Sequence, residues 1–582
     1  MPDPEEDRQA EKREVVADQR CPVFMSEGQC CGRPVHAAPS GVDLRSVCLM
    51  HSEDPNKSDA AFQEEFERIL RDADDQGADF TRFVFPSSNY ARRVFRAKCI
   101  FLGATFTQKA IFMGATFTHH TDFGGAAFTR YADFSRAKFT QDAHFYSAKF
   151  AQGAHFYSAK FAQGANFYRA TFTENADFSW ATFTQGASFG SATFACGADF
   201  AQVTFGSKAD FGAASFSGTA DFHNSTFAGL ANFSTTRFLG DAKFVEVHFE
   251  AECSFWLSEF KGIADFHHAA FGDAVEFRET TISNFENYLP APIFVLAKFA
   301  KPESVVFYKT YLGRALFHNC DVSRFYFSSV RWRVRSGNGK RMVFDEVVDT
   351  QDHAAGALRT EDDNPNDRNY DLIAELYQQL NKNYDDRRDY WTAGDFHYGE
   401  MEMKRLATPK PNRLSRWLKE MGLAGPRFDV FRRRWHQQVG LAALYKGASE
   451  YGESYERPLL WLLVVLLFST VLYPGWGLRP TLKAGTAQAA AHESLSREAC
   501  VPELSYRNFI RYGSLQPGGE ELSPFAPVGH SLMTSLGVAA LQRDLAYEPS
   551  YPWARVLSWL ELALTSTFIA LFLLAVRRQF RR

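Results

Sequence analysis

Phenylalanine recurs from position 101 to position 277 in one unbroken alternation of five- and six-residue steps. Thirty-three phenylalanines follow this rule, and a small residue stands two positions before nearly every one. Residues two apart on a β-strand face the same side. The small residue and the phenylalanine are therefore predicted to face one core, while the Asp, Lys, His or Thr between them faces water. The small residues are Ala104, Ala115, Ala126, Ala137, Ala148 and Ala159, replaced later by Val203, Thr236 or Cys253.

A helix does not explain this pattern. At about 100° per residue, steps of five and six place successive phenylalanines roughly 140° and 240° apart, so they cannot share one face. The segment is also rich in Gly, Ser and Thr, which form helices poorly. A single eleven-residue unit cannot bury its own phenylalanines, so the units are predicted to stack as a solenoid of short strands.

Residues 132–136 read Ala-Asp-Phe-Ser-Arg, and 137–141 read Ala-Lys-Phe-Thr-Gln followed by one extra residue. These units resemble the A-(D/N)-(L/F)-x-x units of the pentapeptide-repeat family. The resemblance implies a right-handed, four-sided β-helix, here with about 22 residues per coil because of the extra residue. It implies a fold and carries little information about function.

Two apolar stretches near the C-terminus, 459–472 and 556–576, are predicted to be transmembrane α-helices. Arginines precede the first stretch at 432–434 and follow the second at 577–578. By the positive-inside rule both termini are predicted to be cytoplasmic, in a multi-pass protein of a bacterial inner membrane. Glu561 lies inside the second stretch. A carboxylate there is either a functional group or a hydrogen-bonded helix contact.

The loop between these stretches ends in 529–539, a segment that resembles the re-entrant part of the two-helix potassium-channel pore family. The family's filter is close to T-T-x-G-Y-G-D. The resemblance implies a pore-like segment of Thr534, Ser535, Leu536, Gly537, Val538 and Ala539. Val538 replaces the aromatic residue and Ala539 replaces the second glycine, whose backbone freedom the filter uses. Conduction, in a tetramer, therefore stands beside a plain membrane anchor as an alternative.

Cysteines cluster near the N-terminus, and His51 closes a C-x-x-H with Cys48. Zn²⁺ takes four nitrogen or sulfur ligands in a tetrahedron, and Cys21, Cys31, Cys48 and His51 are predicted to supply them. Cys31 is preferred to Cys30 because Gly-Arg-Pro follows it as a knuckle turn does. His36 is a spare candidate. A cytoplasmic segment favours metal over a disulfide; free buried thiols and redox sensing remain alternatives to structural zinc.

The sequence divides into six parts. Residues 369–407 have helical periodicity in two runs and are predicted to cap the open end of the solenoid. The segment 404–436 is basic and aromatic, which favours contact with anionic lipid over nucleic acid before a membrane span. The predicted domains are 1–75 (Cys/His module and helix), 76–335 (β-helix with irregular end coils), 336–368 (linker), 369–407 (helical pair), 408–456 (juxtamembrane helices) and 457–582 (two membrane helices and their loop).

Composition narrows the classes of function. The net charge of −4 argues against nucleic acid as a partner of the whole chain. The solenoid is mildly acidic, so DNA mimicry toward a topoisomerase is retained as a weaker alternative. No metalloprotease, α/β-hydrolase or dinucleotide motif occurs, so no enzymatic activity is predicted. Histidines such as His144 and His155 alternate with inward residues and are predicted to be ordinary surface residues. The predicted partners are the bilayer, copies of the chain and an unidentified protein on the β-helix.

Overall fold

The computed structural model describes residues 20–36, 46–73, 77–282, 292–347, 369–407, 417, 421, 426–476, 478–480, 526–540, 545, 547–549 and 551–580. The chain divides into two compact units, Met1–Asn383 and Tyr384–Arg582. The first unit contains the solenoid, and the second contains the apolar helices.

The first unit contains a four-sided parallel β-helix, as predicted, and this β-helix has about 11 turns. From Ala78 to Ile282, successive strands belong to sheets 1 to 4 in turn. Sheet 1 consists of Ala78–Asp79, Cys99–Ile100, Thr121–Asp122, Ala143–His144, Ala165–Asn166, Ala187–Ser188, Ala209–Asp210, Ala231–Asn232, Cys253–Ser254, Val275–Arg278, Val305–Tyr308 and Tyr326–Ser328. Sheet 2 consists of Val84–Phe85, Thr105–Phe106, Ala127–Phe128, Lys149–Phe150, Thr171–Phe172, Thr193–Phe194, Ser215–Phe216, Arg237–Phe238, Glu259–Phe260 and Thr281–Ile282.

The other two sides have the same form. Sheet 3 consists of Ser88–Asn89, Ala110–Ile111, Ala132–Asp133, Ala154–His155, Ala176–Asp177, Ala198–Asp199, Ala220–Asp221, Ala242–Lys243 and Ala264–Asp265. Sheet 4 consists of Val94–Phe95, Thr116–Phe117, Lys138–Phe139, Lys160–Phe161, Thr182–Phe183, Thr204–Phe205, Thr226–Phe227, His248–Phe249, Ala270–Phe271 and Lys298–Phe299. Ala132 pairs with Ala110 on one side and Ala154 on the other, which is the 22-residue coil that the five-plus-six pattern predicts.

The core is a set of stacked phenylalanine columns. Phe134 and Phe139 are buried together with Ala132 and Ala137. Asp133, which stands between Ala132 and Phe134, is half-exposed, as the alternation predicts. The Asp133 carboxylate accepts a hydrogen bond from the Ser135 amide, and Asp or Asn plays the same part in many coils. This local contact satisfies a corner amide that the strand ladder does not reach, which explains why the unit favours Asp or Asn before phenylalanine.

The five-residue steps turn through a left-handed residue. The Ala137 amide donates to the Phe134 carbonyl across the corner, and Arg136 inside this turn has φ of 57°. Gly103, Gly114 and Gly125 occupy the equivalent position in early coils. Residues with a Cβ occupy it in nearly all later coils, and for them this conformation is strained.

Replacing Thr235 by glycine is expected to stabilise the β-helix. Thr235 is β-branched and has φ of 58°, so glycine relieves about 1–2 kcal/mol of strain against an entropic cost of about 0.5–1 kcal/mol. Denaturant titration of the full chain should show the gain. The same change at Thr226, on an extended strand of sheet 4, should destabilise. A destabilised Thr235→Gly variant would refute the strain argument.

Both ends of the β-helix are covered. Helix α1 (Asp59–Arg71) buries Phe62 and Phe66 against the first coil, where the Phe66 ring lies 4.6 Å from that of Phe80. The other end contains the 3₁₀ turns Pro302–Ser304 and Phe344–Glu346 and a hairpin of Arg333–Val334 with Arg341–Met342. There Asn383 of α2 (Tyr370–Asp386) lies against the edge of the last coil. Its side-chain amide donates to the carbonyls of Val322, Ser323 and Phe325.

The second unit is helical. It contains α3 (Tyr390–Leu406), α4 (Pro426–Val439), α5 (Leu441–Ser449), the 3₁₀ turn Glu450–Gly452, α6 (Glu456–Trp476), α7 (Ala526–Ala539), α8 (Pro552–Phe580) and a hairpin of Leu478–Pro480 with Tyr547–Pro549. The segments Glu456–Gly475 and Pro552–Arg578 are long and apolar enough to cross a membrane. They contain the two predicted membrane spans.

Candidate functional site

The described residues include a Cys/His cluster in the first unit and a buried carboxylate in the second. The Cys/His cluster is formed by Cys21, Cys31, Cys48 and His51, whose ligand atoms all lie within 4.8 Å of one another. These are the four residues that the sequence predicts. The cluster could hold a metal ion.

An antiparallel hairpin brings the first two cysteines together. The amide of Cys21 donates to the Arg33 carbonyl, and that of Cys31 donates to the Val23 carbonyl. Gly32 adopts φ of 65°, a conformation that glycine takes without strain, immediately after Cys31. The wide spacing between Cys21 and Cys31 is therefore the length of a hairpin.

The C-x-x-H turn supplies the other two groups. The His51 amide donates to the Cys48 carbonyl, and both side chains are buried. His51 Nδ1 lies 3.2 Å from Cys48 Sγ and 3.4 Å from Cys21 Sγ, while Cys31 Sγ lies 3.7 Å from Cys48 Sγ. A tetrahedral zinc site places its sulfur and nitrogen ligands about 3.5–3.8 Å apart. The four groups thus fit such an ion with small side-chain shifts.

Neighbouring groups orient the cluster. His51 Nε2 lies 3.0 Å from the Thr81 carbonyl, a contact that presents Nδ1 to the cysteines. The Cys48 thiol, followed by His51 and Arg33, lowers the pKa of Cys31 well below its usual range. Arg33 itself is held by Glu65 of α1 at 2.8 Å. A thiolate beside a guanidinium is a good metal ligand.

The two alternatives weighed for this cluster lie outside it. Cys30 is exposed, whereas Cys31 is half-buried inside the cluster, so the geometry favours Cys31 over Cys30 as a ligand. His36 Nε2 lies 3.6 Å from an Asp54 carboxylate oxygen. The contact with the Thr81 carbonyl and the Arg33–Glu65 pair could not be predicted from the sequence, because both are tertiary contacts.

The second site surrounds Glu561 of α8. Its carboxylate is 1% exposed and accepts hydrogen bonds from the Tyr473 hydroxyl of α6, at 2.6 Å, and from the Ser535 hydroxyl of α7. Ser531 of α7 also donates to the Thr470 carbonyl of α6. Glu561 therefore joins three helices, and Tyr473 is a partner that sequence reasoning did not identify.

The pore-like residues Thr534, Ser535, Leu536, Gly537, Val538 and Ala539 all lie in helix α7. This backbone is helical and not extended, so it does not form the filter conformation that the pore resemblance implies. Thr534 and Ser535 are buried, and Leu536 is exposed. The structure therefore does not show a resemblance to a potassium-channel pore.

The turn just before α6 meets the end of α8 within the second unit. Arg578 donates to the Tyr451 carbonyl and to the Glu453 carboxylate, both before α6. Glu402 of α3 is nearly buried and pairs with Arg405 and Lys446. The start of α6 and the end of α8 are thus at the same side of the helical pair.

Comparison with known proteins identifies the repeat. Residues 101–149, 123–171 and 211–258 match the family described as pentapeptide repeats (9 copies). No curated protein and no solved structure matches the chain. The matched stretches lie within the four-sided coil of five- and six-residue steps. The β-helix of this chain is therefore built from pentapeptide repeats.

Proposed function

We propose that the chain is a membrane-anchored scaffold that presents a pentapeptide-repeat β-helix to a protein partner. The observation that carries this proposal is the exposure of the apolar helices. Only 28% of the apolar stretch of α6 is buried against the rest of the protein, and only 17% of the apolar stretch of α8. A core helix of a water-soluble protein would bury most of such a surface, whereas lipid covers it without cost.

The charges flanking the helices give the orientation of this anchor. Arg577 and Arg578 end α8, and Arg432, Arg433 and Arg434 lie on α4 ahead of α6. The Arg578–Glu453 ion pair joins the end of α8 to the turn just before α6. By the positive-inside rule the side that carries these arginines is cytoplasmic. The inner membrane of a bacterial cell is the location in this proposal. The arginines on α4 would contact anionic lipid.

In this proposal the Cys/His cluster is a structural zinc site. Its four ligands are all supplied by the protein, which leaves no open coordination position for catalysis. His51 also stacks edge-on against the Phe83 ring of the first coil at 5.0 Å. Zinc would therefore fix residues 20–36 and 46–73, the N-terminal cap, on the first coil of the β-helix. The same proposal includes a non-enzymatic role and an unidentified protein partner that binds the β-helix.

Ion conduction by an oligomer, tetrameric if the pore resemblance holds, is a second candidate function. Glu561 favours it, because a carboxylate within an apolar membrane helix commonly marks an ion or proton pathway. The hydrogen bonds from Tyr473 and Ser535 favour the scaffold, because they satisfy both carboxylate oxygens and make Glu561 a helix–helix contact.

Reconstitution of the full chain in liposomes tests both candidates. We expect the protein to resist alkaline extraction and to pass no potassium or protons above the level of empty liposomes. Gly537→Trp alters the buried face of α7, and Leu536→Trp, on its exposed face, is the matched control. Flux abolished by Gly537→Trp alone would overturn the scaffold in favour of a pore. Release by alkaline extraction would overturn the membrane anchor.

A further inference from the structure

A group of ligand-type side chains lies on sheet 1, separate from the Cys/His cluster. It consists of His120, Asp122 and His144, whose ligand atoms all lie within 4.8 Å of one another. Asp122 pairs directly with His144 in the neighbouring coil. The two imidazole rings have centroids 4.7 Å apart and are nearly perpendicular, at 85°. Two imidazoles and one carboxylate therefore meet on one side of the β-helix.

The solenoid backbone fixes this geometry. Neighbouring strands are about 4.8 Å apart, and the inward Phe123 and Phe145 rings below the group stack at 5.0 Å. The Gly124 amide donates to Asp122 Oδ1 at 2.7 Å, which orients the carboxylate and leaves Oδ2 free of hydrogen bonds among the described residues. All three side chains are half-buried, so their positions are more restricted than those of fully exposed residues.

The repeat does not require this combination. At the position of His144, the coils on either side carry Asp122 and Asn166, and the next coil carries Ser188. Small polar residues therefore suffice for the fold at this position. A pair of histidines beside a carboxylate is a local departure from the pattern of the coil.

We propose that His120, Asp122 and His144 bind a divalent transition-metal ion. Imidazole nitrogens with one carboxylate oxygen suit Zn²⁺, Ni²⁺, Cu²⁺ or Fe²⁺ and disfavour Ca²⁺ and Mg²⁺, which take oxygen ligands. Three protein ligands leave coordination positions for water or for a group from a partner. This site has free coordination positions, whereas the Cys/His cluster has none. A metal ion bound here would therefore be accessible to a second molecule.

Zn²⁺ binding to the full chain in detergent tests the proposal, after removal of metal under reducing conditions. We expect two equivalents for the unaltered chain and one for His144→Asn. Asparagine is tolerated in this position, because Asn166 occupies it in the next coil. The variant loses one of three ligands, which should weaken the site by at least about tenfold. His155→Asn, the same change on sheet 3 outside the group, should leave two equivalents.

Co²⁺ separates the two sites within one experiment. Thiolate-to-cobalt charge-transfer absorption reports the Cys/His cluster alone, and it should persist unchanged in His144→Asn. Equal metal content in His144→Asn and the unaltered chain would overturn the proposal. So would an unaltered chain that binds no metal beyond the equivalent that gives the thiolate-to-cobalt absorption.

Discussion

Replacing Phe178 by alanine is expected to destabilise the β-helix by about 3–5 kcal/mol. The Phe178 ring is fully buried and stacks on Phe156 at 4.7 Å and on Phe200 at 4.9 Å. It also makes edge contacts with Phe167 and Phe189 at 5.3 Å each. The stacked coils cannot collapse onto the hole, because strand pairing fixes their spacing. Denaturant titration of the full chain, followed by the β-sheet circular dichroism signal, measures the loss.

Trp180→Ala is the matched control for this prediction. Trp180 is two residues away in the same coil and is 57% exposed, so its removal should change stability by no more than about 0.5 kcal/mol. Stability in a stacked repeat is carried by contacts between neighbouring coils. The loss at Phe178 should therefore also appear as faster amide exchange in the coils on either side. Equal effects of the two changes would contradict the stacked-column description of the core.

The β-helix could be predicted almost completely from the sequence, because one physical requirement repeats in every coil. Each phenylalanine needs a partner above and below, and steps of five and six return it to the same side after 22 residues. The corner conformations could not be predicted in the same way. Arg136, Trp180 and Thr235 adopt left-handed turns that no local preference of those residues favours. Pairing of the flanking strands imposes them.

The Cys/His cluster and the pore-like segment show different limits of sequence reasoning. The Cys/His set could be found because ligand chemistry restricts the residue types, although the hairpin that joins Cys21 to Cys31 depends on backbone pairing. The pore-like segment was a resemblance at only three positions. Ala539 carries a Cβ where the filter has its second glycine, and the whole segment belongs to helix α7. The filter conformation therefore did not follow from the match.

Replacing Cys48 by alanine is expected to abolish zinc binding at the Cys/His cluster and to unfold the cap that surrounds it. Structural zinc sites of this kind contribute on the order of 10 kcal/mol to the folding of small modules, more than the short hairpin could replace. Cys48 is buried and lies within reach of both His51 and Cys31. Metal analysis should show one equivalent fewer, and amide exchange of residues 20–36 and 46–52 should accelerate.

Cys30→Ala is the control that separates loss of metal from loss of any thiol. Cys30 is adjacent to Cys31 but exposed and outside the cluster, so the variant should keep its metal and its exchange protection. Coils beyond Cys99 should stay protected in both variants, because their phenylalanine columns do not depend on the cap. A chelator should reproduce the Cys48→Ala pattern in the unaltered chain. If instead the cap stays ordered after Cys48→Ala and chelation, the four residues form a buried thiol cluster and zinc has no structural role.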